Sequence, residues 1–190
     1  AIKSTVTPAI QQIGQYSLDS ANTVDSAYRD MAKTVNGTDQ QLQGLRQSAV
    51  DFSNTHFTSA DQMLEIEAMG GQLGIAVDDL QDFAETASNL DIATDIDSET
   101  ISKNMGQLAN IMDDLQVKAD GAHGGMENFA DSLARLGNNS PTLESAIMDV
   151  SMRIASQSNI IGMTTPQVLA WSTAIASTGQ NSEAAGTAMS

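Results

Sequence analysis

The chain has 190 residues, with 24 Asp and Glu against 8 Lys and Arg, for a formal net charge of −16. A chain this acidic lacks the cationic side chains that neutralise phosphates, so direct nucleic-acid binding is not expected. There is no Cys, which excludes disulfides and thiolate metal sites, and no apolar run reaches the length needed to span a membrane.

The composition favours helices. Ala, Gln, Asp, Ser and Met are common, while the aromatics are limited to 4 Phe, 2 Tyr and 1 Trp. With 14 Gly, many short helices and turns are expected rather than a few long rods. Charge is uneven. Residues 1–50 balance Asp19, Asp25, Asp30 and Asp39 against Lys3, Arg29, Lys33 and Arg46, whereas beyond residue 50 the only bases are Lys103, Lys118, Arg135 and Arg153. This shift divides the chain into a helical arm over 1–56 and a second helical domain over 57–190. The chain starts without Met and its last residues sit inside a pattern that reads as continuing. It is therefore expected to be a piece of a longer protein, truncated at its C-terminus.

In the first part, Ile10 and Ile13 follow Pro8 and start a short helix. Val24, Tyr28, Met31, Val35, Thr38, Leu42, Leu45, Ala49 and Phe52 then recur at alternating spacings of 4 and 3, a heptad seam. Thr38 is its weak member, and Asn36-Gly37 beside it is a place for a kink or break. Two readings stay open: ordinary amphipathic helices packed on the rest, or a coiled-coil-like arm offering self-association through the seam.

The second part reads as six or seven short helices. Thr58 or Ser59, with Asp61 or Gln62 three residues on, forms a capping box before Met63, Leu64 and Ile66. Gly70-Gly71 and Gly74 are expected to end that helix. The next carries Ile75, Leu80, Phe83, Ala84, Ala87 and Leu90, with Asp78 and Asp79 in its first turns, where the helix dipole favours acids. Asp97 or Ser98 caps a helix with the stripe Ile101, Met105, Leu108, Met112 and Leu115. Residues 116–125 read as a loop or a weak helical turn. Met126, Phe129, Ala130, Leu133 and Leu136 follow, stopped by Gly137-Asn138-Asn139. Ser140-Pro141 reads as a cap and first turn for Leu143, Ile147, Val150 and Ile154. The run 159–163, "NIIGM", reads as a buried connector. Thr164 with Gln167 makes a further capping box, ahead of Val168, Leu169, Trp171 and Ile175. Gly179 closes that helix, and Asn181 or Ser182 starts another through Ala184, Ala185 and Ala188.

No reactive constellation emerges. Asp78-Asp79, Asp113-Asp114 and the Asp91, Asp95, Asp97 run are acidic, but the last lacks the glycine and closing glutamate of a calcium loop. His56 and His123 are far apart, with no HExxH. The "GAHGG" of Gly121–Gly125 has no GxSxG elbow beside it. There is no P-loop, no dinucleotide fingerprint and no triad pattern. The expectation is no catalytic, cofactor-binding or metal residues, no cofactor and no enzyme activity. The methionines Met105, Met112, Met148 and Met152 read as core, with an adaptable binding groove as the alternative, and Trp171 reads as core.

Two segments carry a resemblance. "FADSLARLGNNSPT" (Phe129–Thr142) and "GMTTPQVLAWSTAIASTGQNSEAAGTAM" (Gly162–Met189) resemble the conserved helical domain of bacteriophage tail tape measure proteins, within the phage minor tail protein family. The second shows a Ser/Thr cap, an alanine-rich helix, a glycine and then an xSxxAGTAL-like end, with Met189 in place of the more usual leucine. "GQLGIAVDDLQDFAETASNL" and residues 94–114 are similar to the same domain's earlier helices, and "GAHGG" departs from it. The resemblance covers about 57–190 and is weak over 1–56. It implies an all-α, irregular and partly orthogonal bundle of short helices with an N-terminal long helix or coiled-coil-like arm. It also implies a structural tail component of a long-tailed phage or prophage that sets tail length during assembly and assists genome ejection. The implied partners are the tail tube protein, the tail assembly chaperones and the tail-tip proteins. The implied location is the tail interior of the virion, and the host cytoplasm during assembly. The competing expectation is a non-enzymatic helical adaptor that binds proteins, or a secreted helical domain.

Overall fold

The computed structural model describes residues 20–112, 115 and 124–179, with the side chains at 158 and 159 excepted. Among these residues there are eight α-helices and no strand. They are α1 (20–34), α2 (Asp39–Ser53), α3 (Ala60–Gln72), α4 (Leu80–Ala93), α5 (Ser98–Ile111), α6 (Gly125–Asn139), α7 (Glu144–Ile160) and α8 (Thr165–Ser177). A 3-10 turn, Val77–Asp79, leads into α4.

The heptad seam is folded back on itself. It breaks at 35–38, where Thr38 leaves helical geometry and caps α2 in a reciprocal box with Gln41. Glycine at 37 allows the turn to sit against Val77, since a Cβ there would lie 3.0 Å from Val77 Cγ2. α1 and α2 run antiparallel, as their cross-links show. Arg46 bonds Asp25, Gln43 donates to the Tyr28 hydroxyl at 3.0 Å, and the Arg46 guanidinium lies 5.5 Å from the Tyr28 ring centre. The seam residues Met31, Val35, Leu42, Leu45, Ala49 and Phe52 are buried in the same core as α3 to α8. Thr38 is exposed because it is a cap rather than a seam position.

α3 does not end at Gly70-Gly71. It runs through both and stops after Gln72 at Gly74, whose φ is +86°. The Ile75 N–H donates to Gly70 O and the Gly74 N–H to Gly71 O, the paired bonds of a Schellman stop. The two earlier glycines instead let neighbours in. A Cβ at Gly70 would lie 2.6 Å from Leu80 Cδ2, and one at Gly71 would lie 3.1 Å from the Thr34 carbonyl oxygen.

α4 is the central helix, packed against α2, α3, α5 and α6, with Leu80, Phe83, Ala84, Ala87 and Leu90 buried. α5 starts at Asp97, which accepts the Thr100 N–H at 2.9 Å. All five members of its stripe, Ile101, Met105, Leu108, Met112 and Leu115, are buried. α7 and α8 form the most extensive helix pair, joined by a turn with Gly162 at φ +73°.

Three further local expectations are overturned. Ser140-Pro141 does not start α7. Ser140 is the C-cap of α6, and α7 begins at Glu144, leaving Leu143 exposed. The reason is tertiary. The Glu144 carboxyl lies over Gly137, where a Cβ would come within 2.1 Å of it. Asp95, from the turn after α4, takes the capping bonds at α7. The run 159–163 is not a buried connector, because Ile160 and Ile161 are 85% and 67% exposed. Trp171 is not core: it is 56% exposed, while Val168, Leu169 and Ser172 form the inward face of α8.

Candidate functional site

Of the acidic residues singled out in the sequence, Asp78, Asp95 and Asp97 each serve the start of a helix. Asp78 accepts a bond from Gln41 at 2.8 Å and so ties the 3-10 turn to the start of α2. Asp97 caps α5. The Thr100 N–H and hydroxyl that bond its carboxylate hold it below the usual range. Asp91, half-buried, is raised by burial and by the nearby charge of Asp97. Asp95 reaches across to Ser145. Among the described residues, no group of three or more His, Cys, Asp or Glu is arranged to hold a metal ion.

His56 is part of the end of α2. Its ring stacks on Phe52 with centroids 3.8 Å apart, and its Nδ1 lies 3.1 Å from the Phe52 carbonyl oxygen. Beside it, Phe57 is 96% exposed at the rim of an open cleft of about 450 Å³ between the start of α1 and the start of α3. Val24, Ser53, Ser59 and Asp61 complete its main lining. His123, Asp113-Asp114, "GAHGG" and the small-residue segment after Gly179 lie outside the described residues. Met105, Met112 and Met148 are buried in the core and Met152 packs against it, so they form no open groove.

The chemically unusual group is one that periodicity could have revealed. On α3, Ala60, Met63, Leu64 and Gly70 define the inward stripe, and Glu67 occupies the same stripe. Its side chain is fully buried and neither carboxyl oxygen has a hydrogen-bond partner. Burial pushes its pKa up to about 8, and the Glu85 carboxylate on α4 adds to the rise. The α3–α4 contact also holds a polar pair, Thr58 hydrogen-bonded to Ser88 between the start of α3 and α4. Unlike Glu67, that pair is satisfied.

The described residues thus show a helical scaffold with exposed apolar side chains at Phe57, Ile160, Ile161 and Trp171, an acidic surface, and no assembled reactive set. No helix among them is long and apolar enough to cross a membrane. No curated protein and no solved structure matches the chain. Residues 46–190 match the family described as phage-related minor tail protein, a span that begins inside α2 and takes in α3 to α8. With most of its length inside that match, the chain belongs to the phage-related minor tail protein family.

Proposed function

We propose that the chain is part of a tape measure protein, the component whose length sets the length of a phage tail during assembly and which assists genome ejection. The observation that carries this reading is the family match over residues 46–190, to which the resemblance at Phe129–Thr142 and Gly162–Met189 adds. Membership in a minor tail family is consistent with a structural, non-enzymatic role and with association with the tail assembly machinery. The specific partners in this reading are the tail tube protein, the assembly chaperones and the tail-tip proteins. The location is the tail interior, reached from the host cytoplasm. The seam residues Met31, Val35, Leu42, Leu45, Ala49 and Phe52 are already buried by their own chain, so the reading needs no second copy to cover them. The net charge of −16 supports a lumen component that does not grip passing DNA.

The test is tail length. Residues 46–190, drawn out as continuous helix at 1.5 Å per residue, span about 220 Å. Duplicating that segment in the phage gene is expected to lengthen tails by about that amount in electron micrographs. Intact tails of unchanged length would overturn the reading and favour a helical protein-binding adaptor. Tight DNA binding by the chain at low salt would remove the charge argument alone.

A further inference from the structure

Glu67 lies one turn before Gly70, where α3 meets α4 with no spare room. The absent Cβ of Gly70 admits Leu80 and Phe83, whose nearest atoms would lie 2.6 and 3.0 Å from a Cβ. No polar atom reaches either Glu67 oxygen. An ionised carboxylate so placed loses its hydration with nothing in exchange, whereas a neutral carboxyl costs far less to bury. A closed interface therefore strongly favours the protonated form of Glu67.

The groups around it offer no relief. On α4, Glu85 is the charged neighbour that acts on it, with the same sign, while Asp82 is exposed and Asp91 sits a further turn and more along the helix. On α2, Arg46 is engaged with Asp25 and Tyr28, and Asp39 and Asp51 are exposed. On α5, Glu99 and Lys103 are exposed. On α1, Asp25 is held by Arg46, and Arg29, Asp30 and Lys33 are exposed. On α3 itself, Glu65 is exposed and Asp61 is at the far end.

We propose that Glu67 is a proton-operated latch: with its proton on, α3 seats against α4, and loss of that proton parts the two helices before the rest of the bundle opens. This inference is independent of the tape measure reading. The direction follows from linkage. The folded-state pKa of about 8 lies above the unfolded value of 4.5, so across that window the folded chain binds more protons than the unfolded one. The contribution to stability is complete below about pH 4.5. It falls as pH rises, by at most about tenfold in the folding constant per pH unit, and stops falling from this cause above about pH 8.

The test compares the whole chain with its Glu67→Gln variant, which keeps the shape and cannot ionise. Urea unfolding and amide hydrogen exchange, corrected for intrinsic rates, are followed from pH 6 to pH 9. Between pH 6 and pH 8 the wild-type folding constant is expected to drop by up to about 100-fold more than that of the variant. Amides of α3 and α4 should lose protection ahead of those of α7 and α8. An identical pH dependence in both proteins, or protection lost evenly along the chain, overturns the proposal. If the variant fails to fold, the wild-type Glu67 carboxyl is titrated by carbon NMR, and a midpoint in the ordinary carboxylate range overturns it equally.

Discussion

Asp95, in the turn between α4 and α5, holds the first turn of α7 through Ser145. The Ser145 N–H donates to Asp95 Oδ1 at 3.0 Å and its hydroxyl to Oδ2 at 2.6 Å. The start of α7 is thus capped by a residue 50 positions away. The bond ties the α4–α5 turn to the α7–α8 pair, so the order of α7 depends on the earlier helices being in place.

Asp95→Ala removes this cap and is expected to cost about 1 kcal/mol, the ordinary worth of an N-cap side chain. The urea midpoint measures the loss. The Ser145 amide should exchange faster than its neighbours deeper in α7. Asp95→Asn, which keeps an acceptor for the N–H, is expected to lose less. An alanine variant as stable as wild type would show that solvent serves the α7 terminus equally well.

Glycine positions in helices separate into two kinds. Gly44 on α2 has open space around it, so Gly44→Ala should stabilise by about 0.5–1 kcal/mol through helix propensity. Gly71 on α3 faces Val35 Cγ2 at 2.7 Å and the Thr34 carbonyl at 3.1 Å from its missing Cβ. Gly71→Ala should therefore destabilise by about 1–3 kcal/mol despite the same propensity gain. Paired thermal melts read the opposite signs directly.

The Thr58–Ser88 pair is a closed account of two buried hydroxyls. Ser88→Ala leaves the Thr58 hydroxyl without its partner and is expected to cost about 1–3 kcal/mol. Thr58→Val combined with Ser88→Ala removes both polar groups and should recover part of that loss. A double variant that is as unstable as the sum of the single variants would mean that the cost is packing rather than hydrogen bonding.

Trp171 is the only tryptophan, and it faces outward. Its fluorescence in the native chain should already be that of a hydrated indole, open to acrylamide quenching, and should change little on unfolding. Trp171→Ala is expected to cost under about 1 kcal/mol, while Phe83→Ala, fully buried at the α3–α4 contact, should cost about 3–5 kcal/mol. A blue-shifted, quencher-resistant native spectrum would show that the α8 face is covered in solution.

Much of the fold is legible in the sequence because short-range physics sets it. The stripe from Ile101 to Leu115 repeats at helical spacing and is buried throughout. The boxes Thr38–Gln41, Ser59–Gln62 and Thr164–Gln167 use side chains three residues apart. Gly74 and Gly179 stop helices because their positive φ is open to glycine. These signals identify an all-α chain, place most of its helices, and carry the family resemblance.

What the sequence could not decide is which distant groups meet. Gly70-Gly71 carries the local mark of a helix end, yet the approach of Leu80, Phe83 and Thr34 makes it a packing position inside α3. Ser140-Pro141 has the local form of a helix start, but Glu144 packing on Gly137 and Asp95 capping Ser145 move that start. Trp171 shares a helix with core residues and still points outward, because only tertiary packing selects which arc of a helix that mixes apolar and small polar side chains on all sides is covered. Glu67 is the sharpest case. Its spacing alone puts it on the inner stripe of α3, but its missing partners and the like charge of Glu85 exist only once α3 and α4 are brought together. Stops, periodicities and caps other than the one Asp95 gives α7 are determined by neighbours a few residues away. Burial, clash and charge environment are determined by neighbours in space, which no local pattern contains.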